Sequence, residues 1–126
     1  MAVREDEIPK HRVLRELFRH YLEFRELFER DGTFVIDHGY YVEDENGDRR
    51  KVEISVSLWD LQGALKSLSP RKREAVFWNV IMDKKQKDVA EIMDITMVSV
   101  GQYVEQGMLQ IAKDYFPEVP EDALVG

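Results

Sequence analysis

Few residues in this chain have the types and spacing that catalysis needs. His11, His20 and His38 are its three histidines, and no Asp or Glu joins two of them at ligand spacing on a shared helical face. There are no cysteines. That excludes disulfides, thiol nucleophiles and thiolate-held metals. Carboxylate neighbours such as Asp44 and Glu45 fall in a turn-forming run and read as solubilising. The chain carries no phosphate-cradling glycine loop and no nucleophile motif. An enzyme is therefore not expected, nor a metal or a cofactor. The remaining chemistry is electrostatic. From Arg71 to Lys87 the chain places six cations, Arg71, Lys72, Arg73, Lys84, Lys85 and Lys87, against two acids, Glu74 and Asp83, for a net +4. Cations held at fixed positions suit phosphate oxygens.

These cations fall at two helix starts. Ser69-Pro70 is an N-cap serine followed by proline at the first helical position. The helix it opens extends to about Met82 through Ala75, Val76, Trp78, Val80 and Ile81. Upstream, Ser57-Leu58-Trp59-Asp60 has the form of a capping box with Asp in place of Glu. It starts a short helix to Ser67, with Leu58, Leu61, Leu65 and Leu68 inward. Downstream, residues 85–93 form another short helix, with Asp83 a second candidate start because Asp83-Lys84-Lys85-Gln86 also resembles a capping box. Asp94-Ile95-Thr96 breaks that helix, and Thr96 caps a last one reaching about Phe116.

The first half of the chain has a different period. Leu14, Leu17, Phe18, Tyr21, Phe24 and Phe28 recur at spacings of three and four, which predicts one helix over residues 9–30. Residues 33–56 are β-branched and aromatic, and Val52, Ile54 and Val56 alternate with Glu53 and Ser55. The Asn46-Gly47 pair signals a two-residue hairpin turn. Asp37-His38-Gly39 is a candidate bulge or earlier turn. Trp59 and Trp78 read as core. Pro117 and Pro120 end regular structure, which leaves an acidic tail expected to be mobile.

The 126 residues fit one domain with appendages, 44% of them hydrophobic and 34% charged. That composition excludes wholesale disorder and supports a core. The 18 Lys+Arg against 25 Asp+Glu leave a net charge of −7. Such a balance argues against a generic polyanion binder, so the basic stretch stands alone in an acidic chain. No apolar run is long enough to span a bilayer, and the first residues lack the apolar stretch of a signal peptide. A cytoplasmic protein without membrane contact is expected. The fold class is mainly α: an N-terminal helix with a β-hairpin insertion over 1–56, a C-terminal helical bundle over 57–116, and the tail over 117–126.

Residues 86–100 have the pattern of a helix-turn-helix. Ala90 supplies the small residue at the helix crossing, and Val89, Met93, Ile95, Val100 and Tyr103 hold the pair on the helix before it. Leu68-Ser69-Pro70-Arg71-Lys72-Arg73-Glu74-Ala75-Val76, followed after about a dozen residues by Asp88-Val89-Ala90-Glu91-Ile92, resembles region 4 of bacterial sigma factors. LuxR-type and many actinobacteriophage regulators carry similar units. The resemblance covers about residues 58–116, and the other sigma-factor regions are absent. It implies a transcription regulator whose second motif helix lies in the major groove of duplex DNA, in a bacterial or phage-infected cell. Carried over by position, the base-facing residues are Met97, Val98, Ser99, Gly101, Gln102, Glu105 and Gln106. Gln102 suits an adenine edge, and Met97 or Val98 a thymine methyl. The phosphate contacts are Arg71, Lys72, Arg73, Lys84, Lys85 and Lys87.

Three departures stand out. Asp94 takes the family's turn-glycine place, Lys85 a cap position, and the second helix has no Arg or Lys before Lys113. The resemblance therefore also implies an alternative, an adaptor docking on the RNA polymerase β flap. Gly101 and Gly107 weaken the last helix and point to the close approach of another backbone or a partner. The first 56 residues are candidates for docking or for a homodimer.

Overall fold

The computed structural model describes residues 9–120 and 123–125. The leader reading at the N-terminus and the side chain of His11 lie outside the described residues. The elements run α1 (Pro9–Arg19), α2 (Tyr21–Asp31), β1 (Val35–Glu43), β2 (Arg49–Ser57), α3 (Leu58–Ser67), α4 (Pro70–Val76), a π-helical turn (Phe77–Ile81), α5 (Gln86–Met93), α6 (Met97–Tyr115) and β3 (Leu124–Val125). This is the mainly helical architecture with a β-hairpin that the sequence implies.

The first helix is not continuous. It breaks at His20, where φ −89° and ψ 5° leave the helical range. The His20 N–H donates to Leu17 O at 3.3 Å, a tightened turn, and Phe24 N–H donates to His20 O at 2.9 Å as α2 begins. The apolar stripe survives the break: Leu14, Leu17, Phe18, Tyr21 and Phe24 are all buried. Gly32 then stops α2 in the left-handed region at φ 77°, its N–H donating to Phe28 O.

β1 and β2 pair antiparallel with Ile36 opposite Val56, His38 opposite Ile54 and Tyr40 opposite Val52. One face is thus apolar apart from His38 and, at its far end, Arg50 opposite Val42, and Val56 and Tyr40 are its most buried members. The ladder runs through Asp37-His38-Gly39 without a bulge or turn. Gly39 instead leaves room for the Lys51 side chain, whose Cε lies 2.7 Å from where a Cβ would stand. The hairpin end also differs from the two-residue expectation. Asp44 N–H donates to Asp48 O at 2.8 Å and Gly47 N–H to Asp44 O at 3.0 Å, with Gly47 at φ 81°. This is a three-residue loop ending in a left-handed glycine. Asn46 keeps a negative φ because Asp44 Oδ1 accepts from both the Asn46 and Asp48 N–H groups at 2.9 Å.

α3 carries the expected capping box. Asp60 N–H donates to Ser57 Oγ at 3.1 Å and Ser57 N–H donates to Asp60 Oδ2 at 3.2 Å. Leu58, Leu61, Leu65 and Leu68 are buried. Trp59 corrects the core reading. It is 58% exposed and packs edge-on against Phe28, with ring centroids 6.0 Å apart. The inward stripe of α3 belongs to the leucines, so its neighbour on the first turn points outward. Trp78 is partly buried as expected.

One hydrophobic cluster runs from Val13 to Ala123. Residue 57 is therefore not a packing boundary. α1 packs on α6, on the π-helical turn and on β3. The acidic tail is not the mobile segment expected. Val119 and Ala123 are fully buried, Tyr40 OH donates to Glu118 O at 3.3 Å, and β3 pairs with Tyr40 and Tyr41 of β1. Phe116, Val119 and Ala123, set among the prolines and acids, are buried as the chain returns to the sheet.

Candidate nucleic-acid interface

The α5–α6 pair is set by backbone chemistry at its turn. Asp94 is left-handed at φ 56° and ψ 49°. Asp94 N–H donates to Glu91 O at 3.4 Å and Ile95 N–H to Ala90 O at 3.0 Å, the paired bonds of a Schellman ending. Aspartate serves here because it tolerates this conformation better than most residues with a Cβ. Thr96 then caps α6: Ser99 N–H donates to Thr96 Oγ1 at 3.1 Å. Val89, Ala90, Met93 and Val100 bury the crossing. α5 begins at Gln86, not Asp83, with Lys85 extended as its N-cap and no side-chain cap. Asp83 takes a left-handed φ of 53° instead, which ends the preceding helix.

The two glycines of α6 stand at separate crossings. A Cβ on Gly107 would lie 2.9 Å from Val76 Cγ2 and 3.4 Å from Leu68 Cδ1, so α6 rests directly on α4 there. A Cβ on Gly101 would lie 3.2 Å from Gln86 Nε2, at the start of α5. Both glycines are thus accounted for within the chain.

Five of the base-facing candidates share the open side of α6. Met97 and Val98 are 50% and 71% exposed, and Gln102, Glu105 and Gln106 are exposed. Ser99 is half-buried, and its hydroxyl accepts from Thr96 Oγ1 at 2.9 Å. Gly101 faces α5.

The phosphate candidates do not form one patch. Positions 71 and 73 are about 200° apart around a helix. Arg71 reaches Met93 O at the end of α5 within 3.5 Å. Arg73 turns the other way and donates to Leu68 O at 3.0 Å, covering the end of α3. The Cβ of Lys72 faces Gly107. Lys84, Lys85 and Lys87 remain exposed at the start of α5. Lys84 Nζ stands 6.0 Å from the Trp78 ring centroid.

The structure adds two arginines of α1 beside these lysines. Arg15 Nη1 donates to Asn79 Oδ1 at 3.3 Å, Asn79 Nδ2 donates to Lys84 O at 2.9 Å, and Arg19 Nη2 lies 3.6 Å from Asp83 Oδ1. The signal available was spacing, since Arg12, Arg15 and Arg19 recur at three and four residues on one face. Among the described residues no group of three His, Asp or Glu could hold a metal ion, and no helix is long and apolar enough to cross a membrane.

Residues 58–111 match the family model for sigma-70, region 4. The match runs from α3 into α6 and leaves α1, α2, the hairpin and the tail outside. No curated protein and no solved structure matches the chain. The helices from α3 into α6 are a sigma-70 region 4-like helix-turn-helix, a kind of domain that works with DNA and RNA polymerase.

Proposed function

We propose that this chain is a sequence-specific DNA-binding transcription regulator, a binding protein and not an enzyme, acting in the cytoplasm of a bacterium or a phage-infected host. One observation carries the reading. Within the segment that matches sigma-70 region 4, the first turns of α6 leave Met97, Val98 and Gln102 uncovered. A helix docked on its own core by Val100, Val104 and Met108 is free to enter a major groove by its opposite side. There Gln102 pairs with an adenine edge, Met97 and Val98 meet thymine methyls, and Lys84, Lys85 and Lys87 hold backbone phosphates.

A second reading has its own support. Ile92, Met97 and Val98 are exposed apolar residues around the turn, and the open side of α6 carries Glu105 and no cation before Lys113. Such a surface suits an adaptor docked on RNA polymerase. Selection of bound sequences from random duplex DNA at physiological salt separates the two. An enriched motif is expected, and a two-fold symmetric one would add a homodimer. Salt-sensitive background without enrichment overturns the sequence reader in favour of the adaptor.

A further inference from the structure

We propose that α1 supplies a second part of the DNA contact, in which Arg15 and Arg19 join Lys84 and Lys85 in a cleft that takes a backbone phosphate of the duplex. The proposal rests on the DNA-binding reading above and extends it to a helix outside the family match. A cleft of about 330 Å3 opens between α1 and the loop before α5, lined by Arg15, Arg19, Asn79, Asp83, Lys84 and Lys85. Among the described residues that line it, Arg19, Lys84 and Lys85 bring three cations beside Arg15, and Asp83 brings one acid. Like charges gathered this closely repel one another unless an anion lies between them.

The arrangement is built and not incidental. Asn79 links the two sides, accepting from Arg15 and donating to the carbonyl of Lys84. It stands in the π-helical turn, and Lys84 N–H donates back to Trp78 O at 2.9 Å. Asp83, left-handed, turns the chain so that Lys84 and Lys85 follow into the cleft. Asp83 also holds Arg19 at 3.6 Å while 70% of its own side chain stays exposed, which leaves the pair open to solvent and to exchange. Gln86 lines the same cleft and touches the Gly101 position of α6. The cleft therefore adjoins the helix proposed to enter the groove, where a flanking phosphate passes.

The test is fluorescence anisotropy of the full chain with a labelled random-sequence duplex, titrated across a series of salt concentrations. Arg19→Ala is expected to weaken binding several-fold. It should also lower the slope of log K against log salt by about 0.9, the loss of one phosphate contact. Asp83→Asn removes the acid among the described lining residues while keeping a residue that accepts left-handed backbone, and is expected to tighten binding several-fold. A misfolded variant cannot produce that opposite sign. Unchanged affinity and slope in both variants, with Lys87→Ala still weakening binding, overturn the cleft and leave the DNA reading standing. A parent chain without salt-dependent duplex binding overturns both. Inorganic phosphate alone, followed by the amide shifts of residues 84–86, covers the other source of the same chemistry. Saturable shifts there, with duplex affinity unmoved by Arg19→Ala, assign the cleft to free phosphate and overturn its role in DNA contact.

Discussion

The helix-turn-helix and the helix–hairpin region share one core but are held in place by contacts of different range. In α5 and α6 the decisive interactions are local. The Schellman bonds at Asp94, the Thr96 cap and the Gly101–Gln86 crossing all lie within about fifteen residues of sequence. In the N-terminal region they are distant. α1 is buried by α6 and β3, and β1 is completed by residues 124–125. A hairpin alone is marginal in water, and two short helices are no better. The helix-turn-helix can thus be specified locally while its platform depends on the chain returning from its far end. It also means that α1, although outside the family match, cannot be removed without opening the face of α6 that it covers.

The largest expected effect tests that dependence. Phe18→Ala empties a fully buried site on α1 and should cost about 3–5 kcal/mol. Unfolding followed by circular dichroism and by tryptophan fluorescence, from Trp59 and Trp78, should remain one coincident transition. Two separate transitions would break the comparison, because the regions would then fold independently. Val119→Ala comes next. Val119 is fully buried in a tail that composition marks as acidic and free, and its truncation should cost about 2 kcal/mol in denaturant unfolding. A neutral outcome would show that the tail does not close the sheet.

The α6 glycines sharpen the contrast on a smaller scale. Gly107→Ala drives a methyl against the β-branched Val76, buried and unable to retreat, and should destabilise by about 1–2 kcal/mol after the gain in helix propensity. Gly101→Ala meets only the end of a flexible glutamine, and should lie between neutral and about 0.5 kcal/mol stabilising. Equal effects in thermal melts would mean that the two crossings are not the different contacts described.

What was legible in the sequence follows the same division. The Ser57–Asp60 box, the Thr96 cap, the turn at Asp94 and the leucine stripe of α3 are all local signals, and each stands in the structure as read. The open side of α6, with Met97, Val98, Gln102, Glu105 and Gln106, was legible because a helix face follows from spacing. Gly101 and Ser99 turned elsewhere because a neighbouring helix and a cap claimed them. The outward Trp59 and the return of the tail depend on partners tens of residues away, which periodicity does not encode, and the break at His20 is hidden by an apolar stripe that continues across it. Arg15 and Arg19 carried a readable spacing, but only the fold places that face beside Lys84 and Lys85. The loop at Gly47 shows a different limit. Asn-Gly marked the turn correctly, while the Asp44 carboxylate, accepting two backbone N–H groups, selected a different turn type.

The smallest expected effect lies inside the helix–hairpin region. His38 stands on the apolar face of the hairpin, and its Nε2 is buried with no hydrogen-bond partner among the described residues. Burial pushes its pKa below the ordinary histidine value, His20 adds to that, and Glu16 opposes it. Because the unfolded chain takes up this proton more readily, acid favours unfolding. The stability contributed by neutral His38 is complete above the unfolded pKa, near 6.5. It declines as the pH falls from there through the lower folded pKa. His38→Gln keeps a polar side chain of similar reach and cannot take a proton. Denaturant midpoints measured from pH 7.5 down to about 5.5 should therefore fall less steeply for the variant than for the parent. Parallel pH profiles would show that His38 meets water freely, and its Nε2 would then not be buried as described.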